Sequence, residues 1–115
     1  MAKYDEAAVE AEIQAKGKTA PRITPQQIDD AISAEYFINA YDAINAAGAP
    51  AVDGLKVMTI CFLVLKNGFI VTGESACASP ENYDAELGQR IARDNARNKI
   101  WALEGYRLRS DLAKA

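Results

Sequence analysis

Three arginines, Arg90, Arg93 and Arg97, recur at i, i+3 and i+7 in a stretch of helical character, a spacing that brings several guanidiniums within reach of one polyanion. Arginine grips phosphate oxygens bidentately, where lysine is only a point charge. Tyr83 and Trp101 offer aromatic faces on which a base would stack, and Ser75 and Ser79 offer hydroxyls. These residues flank the polar loop GESACASPENYD, which runs into a helix start whose free amides favour an anion. Asn95 falls in the apolar arc of that helix, where an amide left without partners costs about 1–3 kcal/mol. Backbone groups of the preceding loop would satisfy it, and so would a base edge or a ribose hydroxyl. The chemistry suggested is capture of a small phosphorylated ligand, with Tyr83, Asn95, Arg90, Arg93, Arg97 and Ser75 as its candidate residues.

A plainer reading competes with this one. Arg90 with Glu86 and Arg93 with Gln89 are ordinary neighbours on a helix surface, and spacing alone favours a solvated charged face. Catalysis has less to stand on. The chain has no histidine, so the commonest general base is absent. Cys77 lies beside a helix start, but no imidazole stands ready to activate it. Glu74 with Asp84 or Glu81 would make a carboxylate pair that nothing in the spacing requires. The loop lacks the glycine spacing and lysine of a Walker phosphate loop. Two cysteines, Cys61 and Cys77, fall short of a zinc site. We therefore expect binding without turnover, and neither a metal nor a cofactor.

The elements that must position these residues are written with uneven clarity. Residues 1–20 have helix-favouring composition up to Gly17 but only Val9 and Ile13 as an apolar stripe, so this segment is expected to be flexible or partner-stabilised. KTAPR reads as a linker. Thr24, Pro25 and Gln27 spell a capped helix start with Ile28, Ala31 and Ile32 on its apolar side. EYFINAYDAINAAG is compatible with more helix or with an extended segment. Val57 to Leu65 is strand-like, and Asn67-Gly68 after it is the favoured pair for a two-residue hairpin turn. That turn sets Lys66 opposite Phe69 and pairs positions whose numbers sum to 135, placing the two cysteines on opposite faces of the hairpin. Ser79 or Asn82 would cap a helix running to about Glu104, with Leu87, Ile91, Ala92, Ala96 and Leu103 as its apolar side. Gly105 would stop it, leaving YRLRSDLAKA as a tail.

The expected fold is α+β: a β-hairpin (about 56–65 and 69–77) packed with an N-terminal helical region and a long C-terminal helix (about 83–104). Both hairpin faces are largely apolar, and such a hairpin needs cover on each. Its own helices would supply one side and a second subunit the other, so a homo-oligomer is expected.

At 115 residues, half of them apolar, the chain has the size of a single domain, 1–115. Its 13 basic against 16 acidic side chains argue against nucleic acid as a partner. Val57 to Leu65, the longest apolar run, is too short to span a membrane, and no secretory signal opens the chain. A cytoplasmic location is the expectation.

The motif set NGFIVTGESACASPENYD followed by IARDNARNKIWALEGY resembles a family of short phage and prophage proteins designated by phage gene number. It is also similar to the first-type Thoeris anti-defence proteins, phage sponges that sequester immune signalling nucleotides. The likeness covers about Ile23 to Leu108. It implies tight, non-covalent capture of glycocyclic ADP-ribose, in some members also of cyclic oligonucleotides from CBASS defence, by dimers assembled into a hexamer in the cytoplasm of the infected host. On this resemblance Tyr83 would stack the base, Asn95 would bond base or ribose, and Arg90, Arg93 or Arg97 would neutralise phosphates. Arg22 and Arg109, outside the core motif, are candidates for a second site. The alternative is a non-enzymatic phage accessory protein that binds a host or virion protein through the apolar hairpin face.

Overall fold

The computed structural model describes residues 5–18 and 20–114. Residues 1–4 and 19 of the N-terminal segment lie outside the described residues. The elements run α1 (Glu6–Ala15), α2 (Pro25–Asp30), β1 (Ile32–Asn39), α3 (Ala40–Ala46), a 3-10 turn (Asp53–Val57), β2 (Met58–Leu65), β3 (Ile70–Ala76), a second 3-10 turn (Pro80–Asn82) and α4 (Ala85–Ala113). The α+β class holds, with one strand more than the hairpin. β1 to β3 form an antiparallel sheet in the order β1-β2-β3.

The extra strand is the segment whose sequence fits helix and strand alike. ISAEYFIN ends on a run of strand-favouring residues, Tyr36, Phe37 and Ile38, and pairing along β2 resolves the ambiguity, with Phe37 opposite Cys61 and Ile38 opposite Ile60. A bulge between Ile32 and Ala34 is bridged by Ser33 Oγ, which donates to the Val64 carbonyl at 3.0 Å. The helix start at Thr24 forms as its sequence indicates. Thr24 accepts from the Gln27 amide at 3.2 Å, and the Gln27 side chain accepts from the Thr24 amide at 2.9 Å.

The hairpin register differs from expectation by one residue. The Leu65 amide donates to the Phe69 carbonyl and the Gly68 amide to the Leu65 carbonyl, each at 2.8 Å, so the loop has three residues, Lys66 to Gly68. Gly68 sits at φ 89°, and the Asn67 side chain accepts from the Phe69 amide at 2.9 Å. This is the glycine-bulged loop, which competes with the two-residue turn for the same Asn-Gly pair. Partners accordingly sum to 134, as in Met58 with Ala76 and Leu63 with Val71. A one-residue slip moves every β3 side chain to the other face relative to β2.

Val71 and Gly73 therefore join Thr59, Cys61, Leu63 and Leu65 on the face covered by α4. Cys77 has the same parity as Gly73, the partner of Cys61, so the cysteines do not face opposite sides. They stay apart for another reason: Cys77 lies four residues beyond Gly73, about 13 Å along an extended chain, well past disulfide reach. Both are free thiols, and burial pushes the Cys61 thiol up from its usual range.

α4 meets the sheet through Gly88, Ala92, Ala96 and Ile100, a stripe of small residues ending in one large one. Gly73 is where the two layers come closest. A Cβ there would run into the Ala92 carbonyl oxygen and the Ala96 backbone. The expected apolar arc is rotated by this contact, so that Leu87 and Leu103 are 45% and 38% exposed. Nor does α4 stop at Gly105; it continues through the expected tail to Ala113. One glycine in a helix costs about 1 kcal/mol against alanine, too little to end a helix whose next turn has good helix formers and an Arg107 to Glu104 bond of 3.0 Å. The cap, too, is neither Ser79 nor Asn82 but Asp84, which accepts from the Leu87 amide at 3.0 Å.

The opposite sheet face carries Tyr36, Ile38, Ile60, Phe62, Val64 and Ile70, and among the described residues it has no layer packed over it as α4 packs over the first; Ile38, Ile60, Phe62 and Val64 are half-buried. Tyr36 and Ile70 are 59% and 56% exposed.

Candidate functional site

Tyr83 follows the 3-10 turn Pro80–Asn82, and its position is fixed from β1. Asn39 Nδ2 donates to the Tyr83 hydroxyl at 3.3 Å and to the Lys56 carbonyl at 2.9 Å. Ser75 at the end of β3, Cys77, Tyr83 and the first turns of α4 enclose a cleft of about 50 Å³. That is room for a water or two, not for a nucleotide. The adjoining helix start is already acidic, with Asp84 on the free amides and Glu86 in the first turn, so its field is partly met from within the chain.

Asn95 lies on the same side of α4, where its Nδ2 donates to the Glu74 backbone carbonyl at 2.9 Å. Of the two kinds of partner open to it, a backbone group of the chain supplies this one, from strand β3.

The arginines meet carboxylates on the other side of the helix. Arg93 Nε donates to Glu35 Oε2 of β1 at 2.6 Å. Arg97 gives its two Nη groups to the two oxygens of Glu6 at 2.8 and 2.9 Å, its Nε to Asp29 at 2.8 Å, and Nη2 also to the Pro25 carbonyl at 3.3 Å. These bonds, Glu6 first, hold its guanidinium firmly protonated. Arg22 forms a second fork, on Glu10, at 2.7 and 2.6 Å. That fork, with Gln14 assisting, holds the Glu10 carboxyl down at about 2. Arg90 and Arg109 are exposed and make no hydrogen bond or ion pair among the described residues.

One chain thus gathers Tyr83, Ser75 and Asn95 on the β3 side of α4, and Arg22, Arg93 and Arg97 toward β1, α2 and α1. The helix stands between them. The carboxylates that occupy the arginines, Glu6, Glu10, Asp29 and Glu35, are ion-pair partners that sequence reasoning passed over; the hint it had was Glu6 and Glu10 at i, i+4. Two larger clefts went unforeseen as well. One of about 420 Å³ lies at the hairpin tip between Asp30, Lys66, Asn67, Glu104 and Arg107, and one of about 620 Å³ separates α1 from the start of α2. Among the described residues no His, Cys, Asp and Glu cluster could hold a metal, and no helix is long and apolar enough to cross a membrane.

Comparison with known proteins places this architecture. No curated protein and no solved structure matches the chain. A family model does, over residues 23–112, a span that takes in α2, the whole sheet and α4 to within a residue of its end while leaving out α1. On that match the chain belongs to the phage protein (N4 Gp49/phage Sf6 gene 66) family.

Proposed function

We propose that this phage-family protein is an anti-defence sponge, which binds cyclic nucleotide immune signals of the glycocyclic ADP-ribose type, and CBASS cyclic oligonucleotides as a further class, without cleaving them. It acts in the cytoplasm of the infected host as a homo-oligomer, dimers assembled into a hexamer. The observation that carries this reading is the division of the binding groups: the aromatic and amide half of a nucleotide site and its cationic half lie on opposite sides of α4. A second copy resolves the division. Packing through the opposite sheet face buries Ile60, Phe62 and Val64, and a separate contact between copies, on the α4 side, brings an exposed cation, Arg90 or Arg109, to a neighbour's Tyr83. The similarity to the Thoeris anti-defence proteins and the absence of histidine support capture over turnover.

The test is depletion. Purified protein should remove glycocyclic ADP-ribose from solution and release it intact on heating. Tyr83→Ala with Asn95→Ala should abolish capture, whereas Tyr83→Phe, which keeps the ring and loses only the Asn39 bond, should retain it. Recovery of a cleaved nucleotide would overturn the proposal. The opposite sheet face also suits the alternative, an accessory protein docked on a host or virion protein; in that case no nucleotide raises the melting temperature and a protein partner co-purifies.

A further inference from the structure

α1 is attached to the rest of the chain in an unusual way. None of its residues is buried. A wide cleft, lined by Ala7, Ala11 and Gln14 on one side and Thr24, Pro25 and Gln26 on the other, stands where a packed helix would bury an apolar stripe. What holds it are the two bidentate forks, Glu6 on Arg97 and Glu10 on Arg22. A ten-residue helix is marginal by itself, and ion pairs near the surface are weak and screened by salt.

The geometry of the forks matters more than their strength. Parallel N–H bonds from one guanidinium to two oxygens are how arginine holds a phosphate as well as a carboxylate. Glu6 and Glu10 are one helical turn apart, about 6 Å between their Cβ atoms, so Arg97 and Arg22 are presented to two anionic groups at that separation. Arg97 is also pre-positioned. Its side chain is only 11% exposed, and Asp29 on Nε with the Pro25 carbonyl on Nη2 would keep the guanidinium in place if Glu6 left. Departure of α1 would uncover both guanidiniums, with Arg97 still held by Asp29 and the Pro25 carbonyl.

We infer that Arg22 and Arg97 form one site for a ligand carrying two phosphates about 6 Å apart, and that Glu6 and Glu10 occupy it as a built-in competitor until such a ligand displaces α1. This rests on the reading of the protein as a binder of phosphorylated ligands, and it joins into one site two arginines that the sequence assigns to separate ones. The phosphates can be the outer two of a triphosphate chain or neighbours along a phosphodiester backbone.

The experiment compares the full chain with Glu6→Gln/Glu10→Gln by calorimetric titration with inorganic tripolyphosphate and, in parallel, with 5′-phosphorylated dithymidylate. The variant should bind at least one of them roughly tenfold more tightly, the gain expected if the α1-released state is about one part in ten of the wild type. The probe that gains identifies the linkage. Amide exchange across 6–15 should quicken in the variant, and adding Arg22→Ala should remove the gain. Equal affinity of wild type and variant for both probes overturns the inference, as does a gain that survives Arg22→Ala. The two readings fail separately. Capture of cyclic nucleotide without any gain leaves the sponge and removes the competitor, whereas a gain in a protein that captures no cyclic nucleotide keeps the competitor and removes the sponge.

Discussion

Gly73 shows how much rests on one missing methyl group. Because a Cβ there would sit 2.9 Å from the Ala96 Cα and collide with backbone rather than a movable side chain, α4 would have to back away from the sheet. Gly73→Ala should cost about 3 kcal/mol, the upper end of ordinary overpacking, read as a lower urea midpoint. A midpoint within error of wild type would mean that the layers are not in close contact. Sequence reading found the local devices at this scale, the Thr24 cap and the demand of Asn95 for a partner, because each is settled within a few residues or by an evident mismatch with its surroundings. It did not find the partners of the arginines. Glu35 is 58 positions from Arg93 and Glu6 is 91 from Arg97, and charge spacing along one helix carries no information about what the fold brings to it.

Among the elements, α1 is the one whose attachment should respond to acid. The Glu10 carboxyl is lowered from 4.5 to about 2 by Arg22 and Gln14, so its fork contributes fully above pH 4.5 and is lost as pH falls through 2. Glu6 on Arg97 holds the preceding turn. Amide resonances of α1 should keep their docked positions at pH 5 and move toward coil values between pH 4.5 and 2; docked shifts persisting at pH 1.5 would show that something other than these forks holds the helix. The sequence left β1 open between helix and strand, and it placed the end of α4 too early. The strand exists because β2 offers it an edge, and α4 passes Gly105 because a penalty of about 1 kcal/mol is small against a continuing helix. The hairpin was visible, its register not: Asn-Gly serves both a two-residue turn and a three-residue loop, and only the packing of Val71 and Gly73 under α4 selects the second.

At the scale of the whole molecule the 29-residue α4, about 43 Å at 1.5 Å per residue, compares with a long axis of 54 Å, with the sheet beneath it and an apolar sheet face on the far side that is only half-buried. Two apolar hairpin faces were readable from residue types alone, and the structure covers one of them. Native mass spectrometry of the wild type with glycocyclic ADP-ribose tests most directly whether the protein is a non-catalytic sponge completed by its own copies. The expected species is an oligomer carrying nucleotide of unchanged mass; a monomer that binds the nucleotide, an oligomer that binds none, or a bound species with the mass of a cleaved product would overturn the proposal.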